Sequence, residues 1–390
     1  MKSIVKGLKN RVLFPFFPLL VFSLVLFLPD ISTCKVSGVC SNCHTMHNSQ
    51  DGSALSSEGP LPSLLTNTCV GCHSHSSEAT YDLGGCLVPV VYTTGGISYD
   101  NCLAGGNFYW VEHSGDIYGH NAVADTDEIL DMAPGLSDNT GAINCAGSCH
   151  YKLAQWEWHW WGCPSQQREN IGVGCVGCHT PAHHKGGSAT AIADEEDGSF
   201  RFLARKHKPA PGLDTDLRNV KGWEDDDWQE TVSSDNHNEY YDNYTFGGYG
   251  SSGISRFCVA CHTDYHSVRF GPNGSGSGWI GNWLRHPVSI HLPGTGECSK
   301  YNTDGSGPDG APGLYNPDAP VSRPNIDSVT GPSATVTVGA NGDMVSCLSC
   351  HRAHGSPYAD MLRWDYDGMI AGGGGEVGTG CFVCHTGKDE

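Results

Sequence analysis

Two cysteines and a histidine recur at fixed spacing along this 390-residue chain. Six copies read Cys-x-x-Cys-His: Cys40, Cys43 and His44; Cys69, Cys72 and His73; Cys175, Cys178 and His179; Cys258, Cys261 and His262; Cys347, Cys350 and His351; Cys381, Cys384 and His385. A seventh, Cys145, Cys149 and His150, carries one extra residue between its thiols. Together they use 14 of the 19 cysteines. Zinc would need paired Cys-x-x-Cys clusters to complete a tetrahedron, but here a His follows the second Cys every time. The pattern fits covalent haem attachment instead. Both thiols add across the porphyrin vinyl groups, and the adjacent imidazole supplies the first axial nitrogen to iron. Seven copies of haem c are expected, and the chain reads as a multihaem c-type cytochrome.

Histidine supply indicates what kind. Of 20 His residues, seven are proximal ligands, which leaves 13 for seven distal positions, whereas only six Met residues are present. Two imidazoles on each iron leave no open position for substrate and keep potentials low. Electron transfer is therefore expected rather than substrate conversion. A multihaem oxidoreductase acting on small nitrogen or sulfur compounds would keep one iron five-coordinate, often with a Cys-x-x-Cys-Lys motif, and none occurs here. His47, His75, His266 and His354 lie two to four residues beyond a proximal His. Each can reach an adjacent haem more readily than its own iron, so all four are candidate distal ligands.

The elements that must position these residues are sparse in the sequence. Lys2, Lys6, Lys9 and Arg11 precede an apolar run from Val12 to Leu28 interrupted by Pro15 and Pro18. That predicts a secretory signal over residues 1–34 rather than a stable membrane span. Ile31-Ser32-Thr33-Cys34 bears some likeness to a lipoprotein box, which would lipidate Cys34. Residues 35–390 read as a single heptahaem unit, exported to an oxidising compartment. With 52 Gly, 21 Pro and 38% hydrophobic residues, the chain could not easily bury a conventional core. Porphyrin plates supply the missing apolar area. The expected fold is irregular, mostly coil with short helices and a few β-hairpins wrapped around a continuous stack of c-type haems.

Formal charge is −20, and removing the four bases and one acid of the signal makes it −23. Nucleic acid is excluded as a partner, whereas other redox proteins and extracellular metal acceptors fit. The runs Asp194–Asp197 and Glu224–Asp227 are expected on solvated surface. Motifs start at 40 and 69, 145 and 175, and 347 and 381, three close pairs, with that at 258 alone. No repeat beyond the motif itself is legible. Leu87–Tyr92, a Thr94-Gly95-Gly96 turn and Ile97–Tyr99 suggest a hairpin flanked by Cys86 and Cys102, a candidate disulfide. Cys163 and Cys298 remain as a second candidate pair. Ala334–Val338 and Met344–Ser346, joined by Gly339–Asp343, suggest another hairpin. Tyr301–Pro332 is expected to be an irregular surface loop. Within it Asp304–Asp309 has a weak calcium-loop character, making calcium a minor candidate cofactor. The aromatic run Trp156–Trp161 is expected to pack on porphyrin.

Several stretches resemble the OmcS-like multihaem cytochromes, outer-surface proteins that polymerise into conductive filaments. They are Cys43-His44-Thr45-Met46-His47-Asn48-Ser49, Gly119-His120-Asn121, Cys261-His262-Thr263-Asp264-Tyr265-His266, Leu284-Arg285-His286-Pro287 and Cys347 through Arg352-Ala353-His354. The chain has one motif more than that family, Cys175/Cys178/His179, and a longer third spacer. The resemblance implies that His120 and His286 are distal ligands. For the extra haem the nearest remaining ligand is His183, or His184 beside it, with His113, His159, His207, His237 and His291 in reserve. It also implies a head-to-tail homopolymer in which His47 coordinates the sixth haem of a neighbour, that of Cys347, Cys350 and His351. The expected role is a secreted, extracellular or outer-surface electron conduit; the alternative is a monomeric periplasmic or cell-surface carrier.

Overall fold

Regular structure comes in very short pieces, as a chain rich in Gly and Pro dictates. The computed structural model describes residues 38–55, 60–95, 103–122, 199–203, 220–243, 253–258, 286–303, 312–326, 331–372 and 378–388, with Val36, Cys175, Cys178, His179, Pro181, His183 and Gly310. All belong to a unit spanning Cys34–Glu390. Helices are single turns or little more: Cys69–Cys72, Tyr109–Ser114 and Ile254–Cys258. Such helices are too short to persist alone. Among the described residues none is long and apolar enough to cross a membrane.

Thirteen strands of two or three residues are described, in chain order β1 (Ser49–Gln50), β2 (Ser53–Ala54), β3 (Ser74–His75), β4 (Thr80–Asp82), β5 (Leu87–Pro89), β6 (Tyr92–Thr93), β7 (Gly222–Trp223), β8 (Glu239–Tyr241), β9 (Ile290–His291), β10 (Gly313–Leu314), β11 (Ser322–Arg323), β12 (Thr335–Val336) and β13 (Met344–Val345). β1 and β2 form a hairpin closed by Asp51 and Gly52, both at positive φ, the turn chemistry Asp-Gly favours. β5 does not pair forward as expected. It pairs antiparallel with β4, Tyr81 opposite Val88, and β6 pairs parallel with β3. The turn between β4 and β5 is held by Asp82, whose carboxylate accepts the Gly85 N–H. The anticipated return strand Ile97–Tyr99 and Cys102 lie outside the described residues.

The largest sheet has the order β7-β8-β11-β13-β9, with β8 and β11 parallel and the other pairs antiparallel. The Gly339–Asp343 turn forms, with Asp343 N–H donating to Thr337 O at 2.6 Å. Its flanks then diverge, β12 to β10 and β13 to β9 and β11. The expected surface loop Tyr301–Pro332 is the greatest departure. It supplies β10 and β11 and four fully buried side chains, Tyr301, Tyr315, Val321 and Ile326. Tyr301, Tyr315 and Val321 pack with Leu292, Val336 and Val383 in one apolar cluster, which directly adjoins the last haem motif.

An ion network crosses the sheet. Arg323 bonds Glu239 at 2.8 Å and Asp343 at 2.6 Å, all three buried. It also donates to the carbonyls of Ser333 and Thr335. Burial alone would raise Glu239, but the neighbouring His237 ring and the Arg323 charge hold it below its ordinary value. For Asp343 burial outweighs Arg323 and the carboxyl is raised. Replacing Arg323 with Leu strands both acids, so the guanidinium unfolding midpoint should fall by the equivalent of about 3–5 kcal/mol. An unchanged midpoint would contradict that role.

Candidate haem-ligand sites

The described motif cysteines sit on tight one-turn segments. Cys40–Asn42, Cys69–Cys72, Cys347–Ser349 and Gly380–Val383 are one-turn helices. In each the His N–H closes onto the carbonyl of the first Cys, at 2.8 Å for His44, 2.8 Å for His73, 3.0 Å for His351 and 2.9 Å for His385. Thr68 caps one of them by accepting the Gly71 N–H. Motif residues Cys145, Cys149, His150, Cys261 and His262, with His266, His184, His159, His207, Cys34, Cys163, the 156–161 aromatics and the 304–309 segment, lie outside the described residues.

A second unit recurs beneath the imidazoles. His44 bridges to Leu65, His179 to Leu203 and His351 to Leu362. Two residues before each Leu is a carbonyl facing the ring: Ser63 O at 3.1 Å from His44 Nδ1, Arg201 O at 2.9 Å from His179 and Asp360 O at 2.7 Å from His351. The two residues before each Leu have left-handed backbone: Ser63 and Leu64, Arg201 and Phe202, Asp360 and Met361. Even the flanking bonds repeat. Thr45 N–H donates to Leu64 O and Arg352 N–H to Met361 O, while Thr66 and Arg363 donate back to Cys43 O and Cys350 O. His73 uses a different segment, with Nδ1 2.9 Å from Pro89 O. A carbonyl can only accept, so each Nδ1 carries the proton and each Nε2 keeps its lone pair for a metal.

Imidazoles then meet in pairs from remote segments. His73 and His183 have ring centroids 6.2 Å apart, His179 and His354 6.1 Å, and His286 and His385 6.0 Å. An iron bound by two imidazole nitrogens at about 2 Å each holds the ring centres about 6 Å apart. Burial pushes His73, His179 and His286 below the ordinary imidazole value, and His354 down to about 3. They are thus held neutral, the form that ligates. His354 Nδ1 is buried with no partner at hydrogen-bond geometry. Gly105 makes room for its ring, since a Cβ there would lie 2.9 Å from Nδ1, and next to it Gly106 and Gly355 bridge in parallel. This donor set and spacing fit haem. His183, expected beside the fourth motif, lies instead opposite His73 of the second. His354 takes the place opposite His179.

The remaining candidates fall differently. His47 is exposed beside Met46, itself 76% exposed. Buried Thr45 accepts the Ser49 N–H, and β1–β2 follows, so Met46–Asn48 project between two anchors. His120 Nδ1 lies 2.6 Å from Ala353 O, close to the His354 seat. His75 departs from the pattern, since its Nδ1 accepts from Glu78 N–H at 3.1 Å and its ring stacks on Tyr81. Among the reserves, His237 is fully buried and stacked on Tyr315 at 3.5 Å, a packing role. His291 keeps the ligand-like arrangement, Nδ1 2.5 Å from Gly342 O.

Neighbouring motifs are also joined. Cys175 lowers the Cys69 thiol to about 6 and is itself raised by Cys69, so the second and fourth motifs adjoin. Cys350 is pushed up to about 12 by burial and by Cys381, so the sixth and seventh adjoin as well. Between the fifth and sixth, fully buried Asp242 accepts from Ser255 and Ser289 hydroxyls, and Ser255 accepts the Cys347 N–H. Burial raises Asp242 to about 6. Glu224 and Asp225, expected on the surface, are buried instead; Glu224 accepts the Arg201 N–H and Asp225 the Gln229 N–H. Glu224 thereby holds the His179 turn.

The left-handed turns yield a direct test. Met361 has φ 57, a conformation costing an L-residue about 1–2 kcal/mol. Met361→Gly should leave the unfolding midpoint equal or higher, whereas Met361→Ile should lower it. The reverse order would show the turn is not as described.

Residues 339–390, covering the last two motifs, match the family model "Doubled CXXCH motif". Over 378 residues the chain is 24% identical to C-type cytochrome OmcS of Geobacter sulfurreducens, covering 84% of this chain and 78% of that protein. Two solved structures are similar. The outer membrane cytochrome S filament from the same organism has a TM-score of 0.45 and 19% identity over 85% of each chain. A cryo-EM structure of the OmcS nanowires has 0.47 and 20% over 92% of each.

Proposed function

We propose that this chain, an OmcS-like multihaem c-type cytochrome by its motifs and its similarity, is an extracellular electron-transfer protein that polymerises head-to-tail into a haem wire. The observation that carries the reading is the three imidazole pairs 6.0–6.2 Å apart. When bound, haem c supplies reversible one-electron chemistry at iron. The polypeptide's part is positional. In this reading His73 and His183 hold the second haem, His179 and His354 the fourth, and His286 and His385 the seventh. Each distal ring comes from a different segment than its partner, so ligation ties the chain together. Filling both axial positions excludes water and substrate from iron, which supports a carrier rather than an enzyme. The joined second and fourth motifs and sixth and seventh motifs support short edge-to-edge distances.

The assignment of polymerisation rests on the N-terminal extension. His47 is exposed on a stretch whose ends are fixed, so its imidazole is presented outward at little entropic cost. As in the resemblance that suggested it, His47 would complete the sixth haem of a neighbouring subunit. A head-to-tail contact of this kind does not close and gives an open filament. Replacing His47 with Ala should give shorter or no filaments by electron microscopy and one five-coordinate haem per protomer. Normal filaments with every haem low-spin would contradict the role. Intact mass should show seven haems, the third through Cys145 and Cys149; six, with those two thiols free, would contradict it.

A further inference from the structure

The seventh motif differs from the other described ones in what its proximal ring rests on. His44, His73, His179 and His351 face backbone carbonyls, whereas His385 Nδ1 lies 2.8 Å from a carboxylate oxygen of Glu297. The carboxylate is fixed from several sides. Glu297 opens the turn Glu297–Ser299, and Thr386 donates to its backbone carbonyl at 3.4 Å. Its second oxygen, Oε2, lies 3.7 Å from the Lys388 ammonium. Cys298 sulfur stands 3.7 Å from the same Nδ1, farther than the carboxylate.

A carbonyl is a neutral dipole, but a carboxylate brings a full negative charge to the Nδ1–H bond. It draws the proton outward, gives the ring imidazolate character and makes Nε2 a stronger donor to iron. Stronger donation favours the ferric state and lowers the potential. Resting on the reading of seven bis-His haems above, we infer that Glu297 is a positioning residue that makes the haem of Cys381, Cys384 and His385 the hardest to reduce among those whose proximal rings are described. Lys388 opposes it by neutralising part of the charge. Each subunit thus carries a built-in step in potential at its C-terminal motif, and electrons leave that haem for its neighbours downhill.

The test is a spectroelectrochemical titration of purified holoprotein, compared with E297Q and K388Q. Removing the charge in E297Q should move one of the seven one-electron steps to higher potential and leave the other six in place. K388Q should move the same step lower, because the ammonium no longer offsets the carboxylate. A purely structural role for either residue would not give opposite shifts. Superimposable curves, a shift spread over all steps, a downward shift in E297Q, or loss of the seventh haem in E297Q would overturn the inference. Haem count and spin state of the unsubstituted protein keep the two readings apart. Fewer than seven haems would sink the seven-haem reading; seven low-spin haems with unmoved curves would sink only the role of Glu297.

Discussion

A six-coordinate iron needs two neutral imidazoles with their lone pairs facing across a gap that admits one metal ion. In the reading proposed above, the rest of the chain meets that need with little regular structure. The three described pairs join His73 to His183, His179 to His354 and His286 to His385. These partners are 110, 175 and 99 residues apart in sequence. Long-range closure of this order is entropically costly before the metal centre forms. The strands of two or three residues and the one-turn helices could not hold such loops closed alone. Covalent thioethers and axial bonds can.

The Nδ1–H bond beneath the described proximal rings is the device that makes the geometry repeatable. Left-handed turns at Ser63–Leu64, Arg201–Phe202 and Asp360–Met361 aim a carbonyl at His44, His179 and His351. Non-glycine residues seldom adopt this backbone, so its threefold recurrence marks a built feature. The strain is borne where it orients a ligand. Buried groups then anchor the turns: Glu224 on the His179 turn, and Asp242 through Ser255 on Cys347. At the C-terminal end the same position is filled by a charge instead of a dipole, which is the basis for a distinct potential there.

Much of this was legible in the sequence, and the limits have physical causes. Cys-x-x-Cys-His motifs are local, so spacing alone points to them, and the last two fall in the matched residues 339–390. The coil-rich fold was legible too, from Gly and Pro content. Distal pairing is tertiary, and nearness on the chain misplaced His183, which the backbone carries past its own motif to face His73. The repeated turn escaped because its distance from the His varies: Leu65 follows His44 by 21 residues, Leu203 follows His179 by 24 and Leu362 follows His351 by 11. Tyr301–Pro332 read as a loop from its Gly, Pro and Asn. Yet both tyrosines are buried there, Tyr301 because its hydroxyl donates to Ala319 O at 2.8 Å and Tyr315 because its ring stacks on His237. Glu224 and Asp225 misled for a similar reason, since backbone N–H groups satisfy their carboxylates inside, whereas Asp226 beside them is exposed as expected.

Direct visualisation of the irons tests the central claim most sharply. In a cryo-EM density map of the secreted holoprotein, iron should lie between His73 and His183, between His179 and His354, and between His286 and His385. A map in which His183 ligates the haem of Cys175, Cys178 and His179, or in which His354 faces any ring other than His179, would contradict the account.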